Sequence, residues 1–268
     1  NKPMIYHVIE TLRNAGITDV GIIVGHTHQR IQEIKDAIGN GSKFGINITY
    51  IEQDAPRGLA HAIKVAKEYL TSNNPDGKFV VHLGDNILKN GISQYIDDFK
   101  NNDSDCIILL KSVLEPNRFG VAEIKNGKVF RLVEKPKTPP SDLALVGVYM
   151  FNNSIFDSIE KLRPSWRNEY EITEAIQDLI DINRKVDHRV ISGEWWKDSG
   201  DPYGILEANR LLLDGITPFN KGIVEGGVQI TGKVCIDEGT VIKEGCSVRG
   251  PLIIGKNCLV ENNAYIGP

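Results

Sequence analysis

The chain has 268 residues, 41% of them hydrophobic, and a formal net charge of −4. That length holds one large domain, or one domain with a small companion, and the apolar content fills a core without any polar tract of the disordered kind. So weak a negative charge makes no electrostatic case for a nucleic-acid polymer or an anionic membrane, and any phosphate must be bound by a local site.

No apolar run approaches the ~18 residues of a membrane-spanning helix, and the start lacks the regions of a signal peptide. The cysteines Cys106, Cys235, Cys246 and Cys258 show no C-x-x-C spacing. They read as reduced thiols of a cytoplasmic protein.

Pro3 stands near the favoured first position of a helix predicted over Ile5 to Asn14. Val20 to Val24 is a short β-branched run bounded by glycines and reads as a strand. Ile31, Ile34, Lys35 and Ile38 lie at helical spacing. Asn47 to Ile51 reads as a strand, Leu59 to Leu70 as a helix, Phe79 to Leu83 as a strand, Ile92 to Phe99 as a helix and Cys106 to Leu110 as a strand. Such alternation predicts βαβ units, an α/β fold with a Rossmann-like, mostly parallel sheet covered on both faces. From about Gly120 the pattern changes to strands at Val121 to Ile124, Val129 to Val133 and Leu145 to Phe151, an antiparallel insert with a hairpin signal at Asn126-Gly127. An amphipathic helix through Ile172, Ala175, Ile176, Leu179 and Ile180 follows, then a strand over Val186 to Ile191 and a helix over Ile205 to Leu213.

From Val224 every sixth residue is aliphatic: Val224, Ile230, Ile236, Ile242, Val248, Ile254, Val260 and Ile266. Small or apolar side chains follow four residues after each, Cys246 and Cys258 among them. This is the hexapeptide pattern of a left-handed parallel β-helix whose sixth-residue aliphatics point inward. A solenoid stopping at Pro268 would leave an apolar coil open, so further coils or another subunit are expected to cover it.

The stretch 80-VVHLGDNIL-88 ends an apolar strand with Asp85. Ligands of open parallel sheets bind outside the carboxyl ends of strands. Asp85 is either a site residue or a strand-ending turn aspartate.

Several segments together resemble the sugar-1-phosphate nucleotidyltransferases, nearest the long form of glucose-1-phosphate thymidylyltransferase. They are 1-NKPMI-5, 52-EQDAPRGLAHA-62, 83-LGDN-86, 118-RFGVAE-123, 134-EKPK-137, 147-GVY-149, 168-NEYEITEAI-176 and 196-WKDSG-200, with the β-helix after them. The resemblance implies a nucleotidyltransferase domain over 1–215 and the start of a β-helix domain over 216–268. It implies attack by a sugar 1-phosphate on the α-phosphorus of dTTP, with Mg²⁺ held by Asp85 and Asp198. Asp85, Lys135 and Asp198 would be catalytic. Gln53 would read the base, with Arg57 and Gly58 closing on it and Asp85 beside the nucleotide. Lys135 would neutralise the sugar's phosphate and Glu134 would accept its hydroxyls. Gly120, Leu145, Gly147 and Tyr149 would line the sugar pocket; Trp196 either joins them or fills core. His61 replaces a glutamine frequent in the family.

The family's Gly-rich phosphate loop precedes the N-K-P-M-I segment, at which this chain begins, so the first strand and that loop are expected to be absent and the chain nearly inactive without them. Three rival readings remain. UTP could replace dTTP, because Gln53 faces the same edge of thymine and uracil. Acyl transfer is the second, although His7, His26, His28, His61, His82 and His188 all precede the repeat, leaving any histidine base to later coils. A catalytically silent sugar-nucleotide-binding subunit is the third. A homo-oligomer joined through the β-helix is expected, with no nucleic-acid or membrane partner.

Overall fold

The computed structural model describes residues 2–25, 27–72, 74 and 77–267, apart from the side chains of His28 and Arg30. Asn1 of the first motif, His26 and Pro268 lie outside the described residues. The chain divides into two compact units, Met4–Trp196 and Lys197–Pro268 with Asn1–Pro3.

The larger unit opens with helix α1 (Met4–Asn14), which buries Val8, Ile9 and Leu12 on one face. Strand β1 (Asp19–Val24), helix α2 (His28–Ile38) and strand β2 (Asn47–Glu52) form a βαβ unit, with β1 and β2 parallel from Asp19↔Asn47 to Val24↔Glu52. The single helix expected over 59–70 is two, α3 (Leu59–Val65) and α4 (Lys67–Ser72). The break has a local cause: the Ala66 N–H bonds the Ile63 carbonyl three residues back, the tightened turn that ends many α-helices.

Next come β3 (Phe79–His82), β4 (Asn86–Leu88), α5 (Ser93–Lys100) and β5 (Cys106–Ser112). The insert follows as β6 (Gly120–Lys125), β7 (Lys128–Glu134) and β8 (Leu143–Phe151). Asn126 and Gly127 both have positive φ (51° and 73°), the turn the Asn-Gly pair predicted. The unit continues with α6 (Ser154–Lys161), α7 (Ile172–Asp181) and β9 (Val186–Val190). The sequence reading passed over α6 and β4.

The Rossmann-like sheet with its antiparallel insert is as expected, and the insert's last strand runs into the middle of it. β8 is antiparallel to β3 along one edge and to β5 along the other, with β9 parallel to β5 beyond. β8 alternates between two cores. Val146, Val148 and Met150 pack with Val8, Ile9, Ile96, Ile107 and Leu109. Leu145, Tyr149 and Phe151 pack with Ile63, Ile108, Ile155 and Ile176. Side chains two apart share a face, so a strand apolar at every position is a strand buried on both sides.

In the second unit, Asp201 caps helix α8 (Pro202–Asp214) by accepting the Gly204 N–H at 2.6 Å, with Pro202 in the first turn. The hexapeptides then build three parallel sheets, in which Ile223, Val241 and Leu259 stack one coil apart, as do Gln229, Ser247 and Tyr265. Ile236, Ile242, Val248, Ile254 and Val260 fill the prism with Cys246. Thr240 sits among them fully buried, its hydroxyl donating to the Gly255 carbonyl and accepting from the Cys258 N–H. Ile230, expected inward, is 41% exposed. It lies in the opening coil and pairs only onward, with Val248. All four cysteines are free thiols. Among the described residues no helix is long and apolar enough to cross a membrane.

Candidate active site

β3 ends at His82, and the Leu83 N–H donates to the Gly147 carbonyl of β8 at 2.8 Å, anchoring the strand end. The chain then turns, with the Asn86 N–H on the Leu83 carbonyl, and Asp85 stands in that turn, partly buried. Asn86 is 2% exposed. Its side-chain amide donates to Asp85 Oδ1 at 2.8 Å, while its oxygen accepts the Gly147 N–H at 3.2 Å and the Trp196 indole N–H at 2.7 Å. Gly147 is glycine for this reason: a Cβ there would stand 2.7 Å from Asn86 Cγ. Trp196 also meets Phe119, ring centroids 5.3 Å apart. Burial pushes the His82 imidazole down to about 4, although the Leu83 carbonyl and Asp85 oppose the shift.

A second cluster forms at the end of β7. Gly120 pairs with Glu134 in the β6–β7 ladder, and a Cβ at Gly120 would lie 2.6 Å from Thr173 Cγ2, 3.2 Å from Glu134 Oε2 and 3.7 Å from Leu145 Cδ1. Thr173 donates to Glu134 at 3.2 Å. The Arg167 guanidinium lies 3.5 Å from Glu134, 3.5 Å from Glu171 and 3.0 Å from Glu169. Burial raises the Glu134 pKa, the neighbouring Glu171 raises it further, and Thr173, Lys135 and Arg167 hold it back. Lys135 turns off the strand with φ 39°, a left-handed conformation uncommon for a lysine, and its N–H donates to the Phe119 carbonyl at 3.0 Å. Its side chain is exposed. Glu134 also borders a cleft of about 390 Å³ with Ser165, Trp166, Glu171, Thr173 and Gln177. Further acids, Glu174, Asp178 and Asp181, line that cleft. It would repel a phosphate, which fits better beside Lys135.

A third group follows β2. The Gln53 amide contacts the Gly58 carbonyl at 3.3 Å and His61 Nδ1 at 3.0 Å. Arg57 pairs with Asp54 at 3.4 Å. Gly58 (φ 94°) is pressed against the Glu169–Tyr170 segment, where a Cβ would lie 2.7 Å from the Tyr170 carbonyl oxygen. The Tyr170 N–H donates to the Arg57 carbonyl at 2.7 Å. The segment bearing Arg167 thus reaches both Glu134 and the loop after Gln53.

Of the residues singled out from the sequence, Gly120, Glu134 and Leu145 are brought together, as are Asp85, Gly147 and Trp196, and as are Gln53 and Gly58. Tyr149 lies in the core behind β8, 5% exposed and stacked on Phe151. Asp198 belongs to the second unit, where its Oδ1 accepts the Gly200 N–H at 2.9 Å. The sequence reading assigned no role to Asn86, Arg167 or Thr173. Asn86 and Thr173 stood inside quoted motifs and Arg167 just before one, but their partners lie far along the chain: for Asn86, 61 and 110 residues away. Among the described residues no three His, Cys, Asp or Glu side chains group as a metal site. Mg²⁺ asks less of a protein, one or two carboxylates with substrate phosphates and water supplying the rest.

A carboxylate at a strand end and a largely enclosed Glu beside an exposed Lys are groups suited to binding a phosphorylated substrate, and the same chain carries a β-helix. A family model described as nucleotidyl transferase matches residues 1–215. The low-salt glycan biosynthesis nucleotidyltransferase Agl11 of Haloferax volcanii is 42% identical over 100% of this chain and 73% of its own length. A glucose-1-phosphate thymidylyltransferase of Streptomyces antibioticus is 43% identical over the same shares, 100% and 73%. A solved structure from Bacillus anthracis, assigned as a glucose-1-phosphate thymidylyltransferase, superposes with TM-score 0.72 at 35% identity, covering 81% of this chain and 85% of that one. The chain belongs to the sugar-1-phosphate nucleotidyltransferase family, whose reaction is transfer of a nucleotidyl group from a nucleoside triphosphate to a sugar 1-phosphate.

Proposed function

We propose that this protein transfers a thymidylyl group from dTTP to glucose 1-phosphate or a related sugar 1-phosphate, releasing pyrophosphate, with Mg²⁺ required. The observation that carries this is 42–43% identity, over the whole chain, to relatives named glucose-1-phosphate thymidylyltransferase. In this reading residues 1–215 are the catalytic domain, and the repeat from 216 onward joins copies of the chain.

The nucleophile is the sugar's phosphate, whose second pKa near 6 leaves it mostly ionised at neutral pH. No activated serine or cysteine is needed. The barrier lies in bringing anions together in line, so positioning and charge neutralisation supply most of the rate. Lys135, exposed at the end of β7, neutralises the sugar's phosphate. Glu134, held by Thr173 and Arg167, accepts sugar hydroxyls over the floor left open by Gly120 and Leu145. Gln53 offers its amide to the donor–acceptor edge of thymine, exchanging its present bonds to Gly58 and His61 for bonds to the base. Asp85 and Asp198 are the carboxylates that would hold Mg²⁺. When bound, the ion neutralises polyphosphate charge.

The test is pyrophosphate release by the full natural chain, with dTTP and UTP each crossed against several sugar 1-phosphates. dTTP with glucose 1-phosphate should give the highest kcat/KM. A preference for UTP would overturn the thymidylyl assignment, and no release with any pair would favour the silent-subunit reading. Asp85→Asn should abolish turnover while the protein stays folded.

A further inference from the structure

We propose that Asn86 is a positioning residue that fixes the direction of the Asp85 carboxylate. The inference rests on the reading of Asp85 as a metal-holding carboxylate. Its geometry is independent of that reading. Two N–H donors, from Gly147 and Trp196, converge on one atom of the Asn86 side chain. Only the amide oxygen accepts hydrogen bonds, so the amide has one orientation, and its NH₂ faces Asp85 Oδ1 at 2.8 Å. With Asn86 2% exposed, no water competes for these bonds. Three distant segments therefore meet at one amide: the strand-end turn, the middle of β8, and the Trp196 segment. The missing Cβ of Gly147 leaves the room. The result is that Asp85 Oδ1 faces a donor of fixed orientation, which biases the direction of the carboxylate.

A merely structural asparagine would stabilise the fold without touching metal binding, so the test separates the two. Mn²⁺ binding to the full chain is titrated by electron paramagnetic resonance for native protein, Asn86→Ala and Asn86→Ser, beside steady-state kinetics with Mg²⁺. Outer partners of metal ligands are typically worth about 10- to 100-fold in affinity or activity. Asn86→Ala should weaken Mn²⁺ by that factor and lower kcat similarly, with KM for sugar 1-phosphate unchanged. Asn86→Ser, whose hydroxyl still donates, should recover part of both. A folded Asn86→Ala with native Mn²⁺ affinity and native kcat overturns the proposal. Asp85→Asn is the control. If it binds Mn²⁺ as the native protein does, the reading of Asp85 falls and the inference falls with it. If it loses Mn²⁺ while Asn86→Ala does not, only the inference falls. Should neither Asn86 variant fold, isotope-labelled native protein decides: the Asn86 side-chain NH₂ resonances must shift on adding Mn²⁺'s diamagnetic counterpart Mg²⁺, and their constancy refutes the inference.

Discussion

Burial of His82 should make folding stability fall on mild acidification. Its imidazole is packed at the end of β3, and because the Leu83 carbonyl can only accept, the Nδ1 that lies 2.9 Å from it carries the proton. Burial lowers the folded pKa from 6.5 to about 4. The unfolded chain therefore takes up the extra proton first. The stability contributed by neutral His82 is complete above the unfolded pKa and is lost as pH falls toward the folded one. Linkage at ~1.4 kcal/mol per pH unit gives a loss of about 2 kcal/mol by about pH 5 and about 3 kcal/mol by about pH 4. Other carboxylates titrate in the same window, so the informative quantity is a difference between two proteins. In His82→Asn an amide N–H replaces the Nδ1–H and nothing titrates. Urea unfolding followed by tryptophan fluorescence reads the right unit, since Trp166, Trp195 and Trp196 all lie in Met4–Trp196. The gap between native and variant should narrow by about 2 kcal/mol from neutral pH to about pH 5. A constant gap would show that His82 titrates normally and refute the argument.

Gly58→Ala places a Cβ 2.7 Å from the Tyr170 carbonyl oxygen and 2.9 Å from its nitrogen, at φ 94°. It should cost about 2 kcal/mol or more and raise KM for the nucleotide above all; native stability in urea would refute the close fit. Ile242→Ala, at a fully buried position of the prism, should cost about 2–5 kcal/mol, read by circular dichroism of the unfolding β-helix; a loss under about 1 kcal/mol would mean the coil collapses into the cavity. Because burial and then Glu171 raise the Glu134 pKa, that carboxylate gains its proton at a higher pH than an ordinary glutamate. KM for sugar 1-phosphate should climb correspondingly early on acidification, and Glu134→Gln should flatten the profile; an unchanged profile in the variant refutes the role.

Periodicity was legible wherever one physical rule governed a segment. The alternation of β-branched runs with helical spacing predicted the layered sheet, and the sixfold aliphatic repeat predicted the prism down to Ile242 and Val248. Where local and long-range forces met, the reading failed. Ala66 breaks a helix that propensity would continue. Ile155, Phe156 and Ile159 have helical spacing in α6, but the helix has only eight residues, too few turns for its period to stand out from the apolar strand just before it. Ile230 obeys the repeat and is exposed because it has a stacked neighbour on one side only.

The amino-acid sequence by itself determined the family, the fold class and the residue types of the chemistry, since those are carried by local pattern and short motifs. Tertiary structure alone decided which side chains touch. That Asn86 holds Asp85 through Gly147 and Trp196, that Arg167 spans Glu134 and the segment pressed on Gly58, and that Tyr149 faces core follow from strands far apart in the chain being laid side by side. Hydrogen bonds and burial act over a few ångströms of space, and the order of residues along a polymer does not state that distance.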